Sequence, residues 1–187
     1  MEEEIQLQLE DTQEKMQKAL QHLEDELLRV RAGKATPNIL DGITVDYYGS
    51  LTPLNHVSNI STPDAKTIAI QPWEKSMIEP IEKAIMAANI GLTPANNGEI
   101  IRINVPPLTE ERRISLVKQI KNMAENTRVS VRNSRREGNE AFKQMKKDGL
   151  SEDQEKDSEI RIQDMTNDFI KKIDHLLEAK EKEIMTV

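Results

Sequence analysis

The chain has 187 residues, no cysteine, only two Phe, two Tyr and one Trp, 32% charged residues and a net charge of −7. That length makes one medium domain or two small ones. The missing cysteines exclude a disulfide framework and a thiolate metal site, few aromatics among many charges favour long amphipathic helices over a β-sandwich, and no apolar run is long enough for a membrane span.

The chain starts Met1-Glu2-Glu3-Glu4, without the basic start of a secretory signal, so a cytoplasmic protein is expected. Glu2 to Ala32 holds no Gly or Pro, and Ile5, Leu9, Thr12, Met16, Leu20, Leu23, Leu27 and Val30 recur in steps of three and four. This predicts a long helix with a bundle-like seam that stops at Gly33, before Pro37.

Residues 34–108 change character, with six of the eight prolines and four of the seven glycines falling in Pro37–Gly98. Ile43 to Tyr48 alternates like a strand that Gly49-Ser50 ends, His56 to Thr62 and Thr67 to Gln71 are two more short strands, and Glu99 to Val105 is a last one. Between them Ser76-Met77-Ile78-Glu79 reads as a capping box. It would open a helix running to Asn89 with Ile78, Ile81, Ile85 and Met86 on one apolar face, Pro80 in its first turn and Gly91 closing it.

Pro106-Pro107 precede a second long helix starting at Thr109, with Glu110 and Glu111 favourably placed in its first turn. Its seam reads Leu116, Val117, Ile120, Ala124, Thr127, Val131, Ser134, Gly138, Ala141, Met145 and ends near Asp148-Gly149. Ser151 caps a third helix with Ile162, Met165, Phe169, Ile173, Leu176, Leu177 and Ile184 on one side. Three stripes, none able to bury itself alone, predict a three-helix bundle of residues 1–32 and 108–187. A small α+β domain, 33–107, is inserted into it. The chain crosses between the two at Gly33–Pro37 and Val105–Leu108, and these crossings form a hinge marked by Gly33, Pro106 and Pro107.

Charge is distributed unevenly. From Arg112 to Lys147 there are 11 Lys/Arg and three acids, a net +8 that leaves −15 for the rest of the chain. With Val131 as zero and 100° per residue, Arg135 lies near 40°, Arg128 near 60°, Asn139 near 80°, Arg132 near 100° and Arg136 near 140°, all on one flank beside the seam. Arg offers a planar fork suited to phosphate. This flank is either a solvated face pairing with acids of neighbouring helices or an RNA-phosphate surface. A structural adaptor meeting acidic protein is the rival class. His22, His56 and His175 have no ligand spacing, so no metal is expected, and no Gly-rich phosphate loop is present, so neither nucleotide hydrolysis nor a cofactor is expected. Tyr47-Tyr48 reads as cover for a small core or as a stacking platform.

The chain resembles bacterial ribosome recycling factor along nearly its full length. The residues that carry the resemblance are Arg31 to Pro37, Leu40 to Ile43, Tyr47-Tyr48-Gly49, Glu82 to Ile85, Pro106 to Arg113 (Pro-Pro-Leu-Thr-Glu-Glu-Arg-Arg) and Val131-Arg132-Asn133 with Arg135-Arg136. The resemblance implies an L-shaped molecule, a three-helix bundle joined by a flexible hinge to a β/α/β domain. It implies a monomeric translation factor, not an enzyme, that binds the large ribosomal subunit after termination and with elongation factor G and GTP splits the ribosome into subunits. The family's rRNA-contacting positions map to Arg132, Arg135 and Arg136, flanked by Arg128, with Arg31 and Lys34 near the hinge. Family members often carry an aliphatic residue at Ser134, Ala at Gly138 and Arg at Lys34. Ser134 and Gly138 are therefore expected to loosen the seam, and Lys34 lacks the fork of an Arg.

Overall fold

The computed structural model describes residues 1–186; Val187, the expected last residue of the bundle, lies outside them. The chain divides into two compact units, residues 1–30 with 111 onward, and residues 31–110.

The first unit consists of α1 (Glu2–Arg29), α3 (Glu110–Lys147) and α4 (Glu152–Met185). Lys121–Glu181, Arg128–Asp174 and Arg135–Gln163 pair rising with falling numbers, so α3 and α4 are antiparallel. Ile5 and Leu9 at the start of α1 pack with Phe142, Leu150 and Ile162, so α1 runs parallel to α4. Further along, Met16, Leu20, Leu23 and Leu27 of α1, Leu116, Ile120, Ala124 and Val131 of α3, and Phe169 and Ile173 of α4 are all buried. The helix starting at Ser151 carries a full capping box, Ser151 Oγ accepting from Gln154 N–H at 3.2 Å and Ser151 N–H donating to Gln154 Oε1.

Six buried seam positions of the bundle are polar among the described residues; Glu155 pairs with Lys146 at 2.6 Å, and the five others are satisfied in one way. The hydroxyls of Thr12, Thr127, Ser134, Ser158 and Thr166 donate to the carbonyls four residues earlier at 2.7–3.1 Å. Thr and Ser therefore act as small core residues. Ser134 is buried and satisfied, and Gly138 is filled rather than loose. A Cβ there would stand 2.5 Å from Ile162 Cδ1 and 2.8 Å from Thr12 Oγ1, so the expected slack at 134 and 138 is absent. Phe142, not Ala141, is the fully buried residue of the next turn. α1 also ends earlier than its Gly- and Pro-free run suggested. Val30 turns extended, with φ −77° and ψ 116°.

The second unit has its own core, in which Val45, Leu54, Ile68, Ile70, Ile81, Ile85, Ile101, Ile103 and Val105 take part. Strands β1 (Thr44–Tyr47) and β2 (Ser50–Pro53) form a hairpin. Here the chain does not stop at Gly49-Ser50. Tyr48 (φ 50°) and Gly49 (φ 86°) form a two-residue turn with both φ positive, the geometry that matches strand twist, and Gly49 N–H bonds Asp46 Oδ1. Strands β3 (Ser58–Asp64), β4 (Thr67–Pro72), β5 (Pro94–Asn96) and β6 (Ile101–Asn104) form an antiparallel sheet in the order β3-β4-β6-β5.

Helix α2 (Ile78–Ala87) buries Ile78, Ile81 and Ile85, while Met86, expected on that face, is exposed. The expected capping box is absent. Ser76 lies inside a 3₁₀ turn, Lys75–Met77, that leads directly into α2 and satisfies its first N–H through the Lys75 carbonyl, and Glu79 pairs with Lys83 instead. The helix closes at Ala88, and Asn89 adopts φ 50° just beyond it.

Candidate nucleic-acid interface

The arginine flank lies on the α4 side of α3, and distance from the seam decides how each side chain is used. Arg128, near the seam, is only 19% exposed. Its Nε and Nη2 donate to Asp174 Oδ1 at 3.2 and 2.7 Å, and Nη1 donates to Glu125 Oε2 at 3.1 Å. The bond to Asp174 holds the Arg128 pKa above its ordinary value against the opposing effect of burial, and Glu125 adds to it. An exposed Arg128 was the sequence expectation; in the structure it is a half-buried tie between α3 and α4.

Arg132 is 41% exposed and donates once to Glu125 Oε1 at 3.3 Å, so Glu125 bridges two arginines. Arg135 reaches a neutral partner, donating from Nη1 to Gln163 Oε1 at 3.0 Å, while Gln163 donates onward to Asn167. Arg136 is exposed, and no hydrogen bond or ion pair is formed by its side chain among the described residues. Four arginines against the carboxylates of Glu125 and Asp174 leave a net +2 on this flank.

The two other acids of the basic block are drawn away from it. Glu137 takes Lys15 of α1 at 3.0 Å, and Glu140 takes Lys143 at 3.2 Å. The Lys15 pKa is raised, first by its bond to Asp11 and then by that to Glu137. Two polar atoms of the flank remain without a partner, the Arg135 Nε donor and the Asn139 Oδ1 acceptor, one helical turn apart. Wheel geometry located this flank. Gln163 and Asp174 were missed because contacts between helices leave no periodic signal in sequence, whereas Glu125 was missed although it stands three and seven residues before Arg128 and Arg132 on the same helix.

The remaining predicted residues lie in the second unit. Arg31 is half-buried and Lys34 exposed. Gly33 adopts φ 81°, and a Cβ there would meet Leu108 Cγ at 2.9 Å, so both conformation and space require glycine. Pro106 and Pro107 are exposed. Tyr47 and Tyr48 meet edge to face at 4.6 Å between ring centroids, and each hydroxyl donates to one oxygen of Glu74 at 2.9 Å, which raises both tyrosine pKa values. The shared carboxylate makes that pair a poor platform for an RNA base. No cluster of three or more acidic or histidine side chains suited to a metal occurs among the described residues, and none of their helices is long and apolar enough to cross a membrane.

Comparison with known proteins gives one consistent answer. The profile of a family described as Ribosome recycling factor matches residues 23–185. The ribosome-recycling factor of Flavobacterium johnsoniae is 56% identical over 187 residues, covering 100% of both chains. That of Porphyromonas gingivalis is 57% identical over 173 residues, covering 92% of this chain and 93% of its own. Among solved structures, a solution structure of the ribosome recycling factor superposes with a TM-score of 0.80 at 38% identity, covering 98% of each chain. The T. thermophilus factor, in a structure that places it with E. coli elongation factor G on the E. coli post-termination complex, gives 0.64 at 42% identity, covering 97% of this chain and 99% of its own.

Proposed function

The chain belongs to the ribosome recycling factor family, and on that premise we propose that it docks on rRNA of the large ribosomal subunit after termination and, with elongation factor G and GTP, separates the subunits. A relative in that family has been placed with elongation factor G on a post-termination complex, which supports the same partners here. In this reading the protein works as a cytoplasmic monomer and is a lever rather than an enzyme. GTP is handled by the partner, the bundle is the anchor and the insert the moving arm. Gly33, Pro106 and Pro107 lie in the connecting segments that let the arm move.

The observation that carries the docking assignment is the incomplete neutralisation of the flank. Arg136 has no partner among the described residues, Arg135 has only a neutral amide partner and Arg132 shares one carboxylate. These three are the phosphate-binding residues of the proposal, and Arg31 and Lys34 extend the contact from the linker. Arg128 helps to hold the helix that presents them.

The test is co-sedimentation with large subunits and breakdown of polysomes by the wild type and by Arg132→Ala/Arg135→Ala. Loss of binding with an unchanged helical spectrum is expected, and equal activity of both proteins would refute rRNA docking. About three to five phosphate contacts also give a log–log slope of binding against salt of roughly −2 to −4. A flat response would favour the adaptor reading.

A further inference from the structure

The β3–β4 hairpin turns through only two residues, Ala65 and Lys66, between the paired Asp64 and Thr67. Neither has a positive φ. A two-residue hairpin without positive φ does not match strand twist and splays its strands, and the pairing register does shift between Ser61 and Asp64. Something other than turn geometry must hold this loop.

Two kinds of contact do so. From inside, the Asp64 carboxylate accepts the Lys66 N–H at 2.8 Å, and it is also engaged by the Thr67 hydroxyl and N–H. From outside, the carbonyls of the two turn residues accept from the two segments that connect the insert to the bundle. Ala35 N–H donates to Ala65 O at 2.9 Å, and Val105 N–H donates to Lys66 O at 2.7 Å. Beyond these bonds, Gly33 fits against Leu108 with no room for a Cβ. One side chain thus orders a turn whose consecutive carbonyls seize the incoming and the outgoing chain.

We propose that Asp64 is a positioning residue of the lever, holding both connecting segments side by side on the insert so that pivoting is confined to residues 31–34 and 106–109. This rests on the lever reading above. It adds that the pivot is short and double, and that its edge is set by a carboxylate distant in sequence from both crossings. Without that carboxylate the turn opens, Ala35 and Val105 lose their acceptors, and each linker lengthens into the insert. A push on the arm then bends slack chain instead of being transmitted to the anchored bundle.

The chain has no native cysteine, so spin labels at Lys83→Cys and Glu178→Cys report the distance between units in otherwise wild-type protein. Asp64→Ala is expected to broaden that distance distribution about twofold, as local contacts give way without global unfolding. Hydrogen-exchange protection of Ala35 and Val105 should fall about tenfold, roughly the worth of one net hydrogen bond. Ile68 and Ile103 should keep theirs. Asp64→Asn, which retains an acceptor oxygen, should restore both readouts.

On ribosomes, Asp64→Ala should bind large subunits as the wild type does but split them about tenfold more slowly, as expected when a hinge rather than a docking contact is altered. An unchanged distance distribution, or protection lost equally at Ile68 and Ile103, overturns the positioning role. The distance and exchange measurements need no ribosome. Failure of the wild type to bind subunits would therefore refute the function and leave the Asp64 result to be judged by itself.

Discussion

Gly138 sets two physical effects against each other. Helix propensity alone predicts that Gly138→Ala stabilises the bundle by about 1 kcal/mol. The packing predicts the opposite sign. The new Cβ would lie 2.5 Å from Ile162 Cδ1 and 2.8 Å from Thr12 Oγ1. Ile162 is fully buried, so its methyl can give way only by displacing neighbours within the core. The Thr12 hydroxyl is fixed by donating to the Gln8 carbonyl at 2.9 Å and accepting from the Gln8 side-chain amide at 3.4 Å. Overpacking of this kind costs about 1–3 kcal/mol, so the net effect is a loss of about 1 kcal/mol, or roughly 2–4 °C in the melting temperature of a chain this size. Thermal and urea unfolding followed by far-ultraviolet circular dichroism measure it. Ile162→Val removes the clashing methyl and costs about 0.5–1.5 kcal/mol alone. Combined with Gly138→Ala it should cost at least about 0.5 kcal/mol less than the sum. A Gly138→Ala protein that is more stable than wild type, and additive with Ile162→Val, would refute the close-packing account.

The other expectations are quicker to state. Gln163→Glu turns the neutral partner of Arg135 into a charged one; it should add about 0.2–1 kcal/mol of stability while weakening large-subunit binding, and unchanged binding would show that Arg135 is not a contact. Tyr48→Asn suits the positive φ of the hairpin turn but loses the exposed hydroxyl bond to Glu74 and the edge contact with Tyr47, so the effects nearly cancel and urea unfolding should show the insert's stability changed by less than about 0.5 kcal/mol. Asp64 has its pKa lowered, chiefly by the Lys66 N–H; its contribution is therefore present above the unfolded carboxylate pKa and lost as pH falls through the lower folded value. The Lys66 amide resonance should accordingly titrate below the ordinary aspartate pKa, and that titration should vanish in Asp64→Asn.

What the sequence made legible was periodic or punctuated. The three seams, the N-cap at Ser151 and most strands of the insert follow from repeat spacing and from where Gly, Pro and Ser stand. The errors arose where a residue's role depends on another element. Ser76 has the pattern of an N-cap, but the preceding chain arrives as a 3₁₀ turn and removes the need for one. Gly138 looks like a weak point until Thr12 and Ile162 are brought to it. Strand β5 is three residues long and carries no alternation that could have revealed it; it exists because β6 offers it an edge.

The arginine flank shows the same division within one helix. At 100° per residue, Arg135 and Arg128 lie about 40° and 60° from Val131, while Arg132 and Arg136 lie about 100° and 140° away. The two nearest the seam are the two that α4 reaches, through Gln163 and Asp174. The farther two are met only by Glu125 on their own helix or by nothing among the described residues. Angle therefore decides whether α4 can reach an arginine, and the residue waiting on α4 decides what is left of its charge. Asp174 consumes Arg128 as a structural tie, whereas Gln163 orients Arg135 and leaves its charge intact. A flank built of one residue type thus divides into an arginine neutralised by α4 and arginines that keep their charge, and the choice between a carboxylate and an amide on α4 is the difference between Arg128 and Arg135.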